Sequence, residues 1–247
     1  MAHVPRATRR EPPGRVRRSS PSLGKDALVR PFNRAVFELG ARPYAWWTAQ
    51  PTWRASSARL ADYFPAVGRV RRVLDLGCGP GVSSVEIARC RPEAVVVGLD
   101  VSAGMLRAAR RYAADSGVAF VRADAANLPI RHEAIDVVTA HSFLYLSGDR
   151  HAVLREAWRS LRPGGRIVLL EPADEARVRL PLLRRLPREP RFVTSMLLWR
   201  AYSRFRGRFS PVSLSAALTA GGFEQVGVEE ALDGLALIAY GDKPAGG

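Results

Sequence analysis

The residues best placed to do chemistry begin at Val73-Leu-Asp-Leu-Gly-Cys-Gly-Pro-Gly81, an apolar run that ends in an acid and three alternate glycines. A turn this bare, directly after a buried-strand pattern, lets a ligand approach the backbone closely. Its spacing is wrong for two familiar phosphate loops. The dinucleotide fingerprint needs glycine where Val82 stands, and no Gly-Lys-Ser/Thr follows to make a nucleoside-triphosphate loop. A cofactor without phosphates suits it better. Farther along stand Asp100, Asp124, His141, Tyr145 and Glu171, polar groups at or near the ends of apolar runs. No His, Cys or acidic cluster has metal-ligand spacing, so no metal is expected.

Those residues need elements to hold them. Strand patterns fall at 72–76, 94–100, 119–122, 135–140 and 166–171, and helical patterns lie between most of them at 82–90, 103–115 and 149–161. The alternation predicts a doubly wound α/β fold with a mostly parallel sheet covered on both faces. Ser210-Pro211 predicts a capped helix ending at Gly221-Gly222. Two further strands, 223–229 and 235–240, are joined by a link too short for a helix, so they form an antiparallel hairpin at the sheet edge and bring the sheet to seven strands. Residues 26–66 read as two or three short helices. The tryptophans Trp46, Trp47 and Trp53 read as a core patch there, and His151 as a surface residue. Residues 1–25 mix Arg, Pro, Ser and Gly with few large apolar side chains and read as a disordered basic arm.

Five segments in order resemble the class I S-adenosylmethionine-dependent methyltransferases: DLGCGPG, GLDVS, ADAANLPI, IDVVTAHSFLYL and LRPGGRIVLLEP, spanning about 71–172. The resemblance implies S-adenosylmethionine as cofactor and a reversed last strand, which agrees with the hairpin. It makes Asp75, Gly77 and Gly79 the cofactor floor, closed by Pro80 and Gly81. Asp100 would take the ribose hydroxyls, Val101 and Met105 would cover the adenine, and Asp124 with the Ala125 backbone would meet its amino group. His141 would face the methionine portion. His141 and Tyr145 are the candidate catalytic residues, with pocket lining the stronger reading for His141. Glu171 is a further candidate polar group in the pocket. Cys78 reads as a loop filler and Cys90 as a buried hydrophobe.

The net charge of +15 is confined to two stretches: residues 1–25 carry +6 and residues 176–208 carry +9. The rest is neutral, so the partner need not be an anion. The reading is transfer to a small-molecule acceptor, with nucleic acid disfavoured. No Asn/Asp-Pro-Pro-Tyr sequence follows strand four, and no paired-glutamate loop or appended RNA-binding module is present. An RNA-modifying enzyme gripping phosphates with the arm and the 176–208 segment is the alternative, and a non-catalytic cofactor-binding protein is a third reading. Residues 176–209 form a helical lid insert in this reading. Its leucines, Trp199 and arginines suggest a hydrophobic or lipid-like acceptor and peripheral contact with an anionic membrane. Cys78 and Cys90 match no disulfide framework, which places the protein in the cytoplasm. The chain from 26 to 247 is expected to be one domain: N-terminal helices to 66, a cofactor core from 70 to 172, the lid, then the final helix and hairpin at 210–241.

Overall fold

The computed structural model describes residues 40–66, 70–174 and 180–246. The basic arm, and the helical pattern before residue 40, lie outside the described residues. Two short helices come first, α1 (Ala41–Thr48) and α2 (Pro51–Ala58), followed by a 3-10 turn (Arg59–Tyr63). The Gln50 side chain accepts the Thr52 N–H, and Pro51 takes the first helical position, so α2 starts at a defined residue.

The core then alternates β1 (Arg72–Leu76), α3 (Val82–Cys90), β2 (Val95–Asp100), α4 (Ala103–Tyr112), β3 (Ala119–Arg122), β4 (Ile135–His141), α5 (Arg150–Ser160) and β5 (Leu161–Pro172). A second 3-10 turn (Leu144–Leu146) follows β4. After β5 come α6 (Leu180–Arg184), α7 (Pro190–Arg206), α8 (Pro211–Ala220), β6 (Glu224–Ala231) and β7 (Ala236–Asp242). The strand order is β3-β2-β1-β4-β5-β7-β6. β1 to β5 run parallel, and β7 runs antiparallel to both of its neighbours, β5 and β6. The seven-stranded, mostly parallel sheet is the expected one. β4 is buried along almost its whole length, as a central parallel strand covered on both faces should be.

Two element boundaries depart from the sequence reading by three residues or more. α4 stops three residues early, at Tyr112. β5 begins at Leu161 rather than at Arg166, because Leu161 pairs with Ile135 and Gly164 and Gly165 exchange backbone bonds with Lys243. Cys90, expected in the core, ends α3 exposed to solvent. At the far edge β6 presents Glu224, Glu229 and Glu230 as exposed residues, and at the opposite edge β3 is only four residues long.

Register aligns the carboxyl ends. Leu76 sits beside Leu99 on one side and Ala140 on the other, so the next residues, Gly77, Asp100 and His141, stand together on one rim. The strand order reverses between β1 and β4, the point where open α/β sheets bind ligands. α1 packs on α4 and α7, and α2 on α3, so the N-terminal helices and the insert both lie over this rim.

Candidate active site

The floor of the site is the glycine turn. Gly77, Gly79 and Gly81 all have positive φ, at 62°, 52° and 85°, a region that costs L-residues about 1–2 kcal/mol. A Cβ on Gly77 would stand within 2.8 Å of three ring carbons of Phe143, so that ring can lie against the turn only because the position is glycine.

Asp75 braces this turn from inside. It is fully buried; the Ser83 and Ser84 hydroxyls each donate to its Oδ2 at 2.6 Å, and the Thr139 hydroxyl donates to Oδ1 at 3.0 Å. Burial pushes its pKa up and the three hydroxyls pull it down. Its bonds thus go to the start of α3 and to β4, so its effect on a ligand above the glycines is through shape and charge. Asp100 does face the turn. Its Oδ2 accepts the Gly79 N–H at 3.0 Å and its Oδ1 accepts the Ser102 N–H at 2.8 Å, while the Ser102 hydroxyl caps α4. A carboxylate here, beside a bare backbone, is in position to accept a pair of vicinal hydroxyls.

The remaining expected cofactor residues divide. Val101 is about half exposed at the rim, whereas Met105 is 2% exposed and packs inside α4. Asp124 is exposed, and its Oδ1 accepts the Ala126 N–H at 2.9 Å, holding the turn that presents the buried Ala125. Pro80 is buried in the glycine turn.

His141 ends β4 beneath a roof. Its Nε2 lies 3.0 Å from the Ser56 hydroxyl, which donates its own proton to the Trp53 carbonyl at 2.8 Å. Ser56 and His141 thus share a hydrogen bond whose direction follows the imidazole tautomer. Burial lowers the His141 pKa to about 4, so the ring is neutral at physiological pH. Trp53 meets His141, Phe192 and Trp199 edge to face, with centroids 5.7, 6.1 and 5.5 Å away. Tyr145 is 3% exposed; burial, with Tyr44, Glu171 and Tyr202 nearby, raises its phenol pKa well above the usual value. The Trp199 indole nitrogen lies close enough to weigh against that rise, yet it is buried without a hydrogen-bond partner. Tyr44 on α1 reaches over Gly79, and its phenol is pushed up to about 12, first by burial and then by Asp100 and Tyr202.

Glu171 lies behind the residues that follow β4. It is fully buried, with Oε1 accepting the N–H groups of Phe143 and Leu144 at 3.1 and 2.7 Å and Oε2 that of Tyr145 at 3.1 Å. Desolvation raises its pKa to about 7 against these bonds and the Arg150 charge. The carboxyl is thus a pin for residues 143–145 and has no direct access to the chamber. Ser142 sits between His141 and Phe143 at a φ of 56°, and its buried hydroxyl has no partner.

The structure therefore gathers Gly77, Gly79, Asp100, His141 and Tyr145 at one rim and brings beside them residues the sequence reading did not place there: Phe143, Ser56, Ser142, Tyr44, Phe192 and Trp199. Ser142 and Phe143 lay inside the strand-four segment, Tyr44, Phe192 and Trp199 carried only helical spacing, and Ser56 carried no signal. A separate cavity of about 430 Å³, lined by Arg59, Leu182, Glu230 and Asp233, lies at the β6–β7 turn and includes none of the rim residues.

Comparison with known proteins places the fold in a family. The methyltransferase domain family matches residues 73–165. A demethylmenaquinone methyltransferase of Roseiflexus castenholzii is 39% identical over 132 residues, 53% of this chain and 52% of that protein. One from Clavibacter sepedonicus is 34% identical over 206 residues, 78% of this chain and 80% of that protein. The chain thus spans about half the length of the first relative and most of the second. Among solved structures, a possible histamine N-methyltransferase of Thermotoga maritima superposes with a TM-score of 0.62 at 20% identity, over 85% of this chain and 99% of that one, and so shares the fold. The sheet order and the rim define a cofactor-binding α/β enzyme class, and the chain belongs to its class I S-adenosylmethionine-dependent methyltransferases.

The rim fits that family's cofactor. The glycine cradle admits a narrow ligand, Asp100 offers acceptors for ribose hydroxyls, and the orphaned Ser142 hydroxyl offers a polar contact at the end of β4. No phosphate-binding feature is present in the loop, and none is needed.

Proposed function

We propose that the protein methylates a small, apolar, ring-containing acceptor of the quinol kind, held between His141 and the lid helix α7. The observation that carries this is the aromatic cluster of Trp53, Phe192, Trp199 and Tyr145 packed about His141 beside the glycine rim, a lining suited to edge and stacking contacts with a planar apolar molecule. The demethylmenaquinone named for the Roseiflexus and Clavibacter relatives is of this chemistry.

When bound, S-adenosylmethionine supplies a methyl carbon already activated by a positive sulfur. The chain's own task is then to place an acceptor atom in line with it. In this reading Gly77 and Gly79 let the ligand lie against the backbone, Asp100 fixes its ribose, and Phe143 and Tyr44 flank it. No strong base faces the chamber. Burial holds the His141 pKa at about 4, while the Tyr145 phenol stays protonated and serves as a donor. The acceptor must therefore bring its own nucleophilicity, as an electron-rich quinol ring does, and the Trp199 indole N–H is the donor available to orient an acceptor oxygen.

The test is a transfer assay with radiolabelled methyl donor against three acceptors: a short-chain demethylated naphthoquinol, a small dicarboxylate and a primary amine. Preference for the naphthoquinol, with Trp199→Ala lowering kcat/KM about tenfold or more, is expected. Preference for the dicarboxylate or the amine would overturn the reading.

A further inference from the structure

Among the described residues, none covers the outer face of the lid. α7 turns Phe192, Val193, Met196 and Trp199 inward and leaves Leu197, Leu198, Ala201 and Phe205 exposed, with Phe205 at 85%. These four fall within about 100° of one another around a helix of 100° per residue, so they form one stripe. Arg204 is exposed on one flank of the stripe and Arg191, stacked on the exposed Trp46, lies on the other. α6 and the turn after it continue the surface with exposed Leu183 and Leu186 among exposed Arg184, Arg185 and Arg188. The sole acid from 180 to 208 is Glu189, which accepts the Thr52 hydroxyl at 2.5 Å and pairs with Arg185 at 3.9 Å. The surface is thus apolar in the middle and cationic at the margins.

We infer that this face docks the protein on an anionic lipid bilayer, with Leu197, Leu198 and Phe205 entering the headgroup region and the surrounding guanidinium groups meeting lipid phosphates. Charge complementarity selects this occupant. A second copy of the chain would bring arginine against arginine. A nucleic acid would leave the leucines and Phe205 facing a polar backbone. The helix lies along a surface and does not cross it: among the described residues no helix is long and apolar enough to span a membrane. Docking is independent of the acceptor's identity, because it uses the outside of α7 and the chamber uses the inside.

The test is co-sedimentation of the full chain with vesicles of phosphatidylcholine alone and with 30% phosphatidylglycerol added, at about 0.15 M salt. Two triple variants accompany it, Leu197→Ser with Leu198→Ser and Phe205→Ser, and Arg184→Gln with Arg188→Gln and Arg204→Gln. All six positions are exposed, so melting temperature is expected to stay within 2 °C of wild type. Wild type should partition onto the anionic vesicles at least tenfold more than onto the neutral ones, and each triple variant should lose at least fivefold of that binding. If either variant binds as wild type does, the N-terminal arginines or another surface hold the lipid and the inference is wrong. It is equally overturned if wild type binds neither vesicle, or if sedimentation velocity shows a dimer that the serine variant dissociates.

Discussion

At the scale of single residues, the site depends on one glycine facing one ring. Gly77→Ala places a methyl against Phe143 at a positive φ, so we expect a loss of about 2 kcal/mol or more in stability and a weakened affinity for S-adenosylhomocysteine by calorimetry. Adding Phe143→Ala should recover part of the loss but not the backbone strain. A second pair of residues sets opposed pH dependences. His141 folds with its pKa lowered from 6.5 to about 4, so its contribution is whole above 6.5 and lost as pH falls toward 4. Glu171, raised from 4.5 to about 7, does the reverse: its contribution is whole below 4.5 and lost as pH climbs to 7. Urea unfolding should show the penalty of Glu171→Gln shrinking by about 3 kcal/mol from pH 4.5 to 7, and that of His141→Asn shrinking as pH falls over the same range. A penalty for either variant that stays constant with pH would contradict these assignments.

At the scale of elements, the lid is anchored by a buried cation. Arg200 on α7 is 5% exposed and donates to the Ala173 and Leu235 carbonyls, and burial lowers its pKa to about 10 without removing its charge. Arg200→Met keeps most of the packing volume but removes the donor to the Ala173 carbonyl, at about 1–3 kcal/mol, while the Leu235 carbonyl keeps the Ala173 N–H. Hydrogen exchange over residues 190–206 should accelerate at least tenfold while β1 and β4 are unchanged. The same elements mark what could be read before the structure. Strand positions followed from apolar runs, and the shared rim of Gly77, Asp100 and His141 followed from where those runs end. The chamber was not legible, because Trp53, Phe192 and Trp199 have the helical spacing of any core residue, and only the packing of α2 under α7 shows that they face His141. Cys90 misled for the same reason: an apolar residue at the last turn of a helix can face either way. The binding of Glu171 to the backbone of residues 143–145 has no sequence signature, since any carboxylate near a strand end looks the same.

At the scale of the whole molecule, the rim ties together the ends of β1, β2 and β4 and both N-terminal helices, so a ligand there stabilises the entire domain. S-adenosylhomocysteine at about 100 times its dissociation constant should add about 2.7 kcal/mol, or about 5 to 10 °C in melting temperature for a chain of this size. Asp100→Ala should reduce the shift to a third or less under the same conditions, because ribose hydroxyls would be left without acceptors. A full shift in that variant would exclude Asp100 from the binding site. The sheet itself also meets the outside world at two margins. On one side β3 is too short to offer much of a template, and on the other Glu224, Glu229 and Glu230 line the outermost strand with carboxylates. A second copy approaching β6 edge to edge would bring like charges opposite one another. The sheet therefore stops growing at seven strands, and concentrated protein is guarded against fibrous stacking.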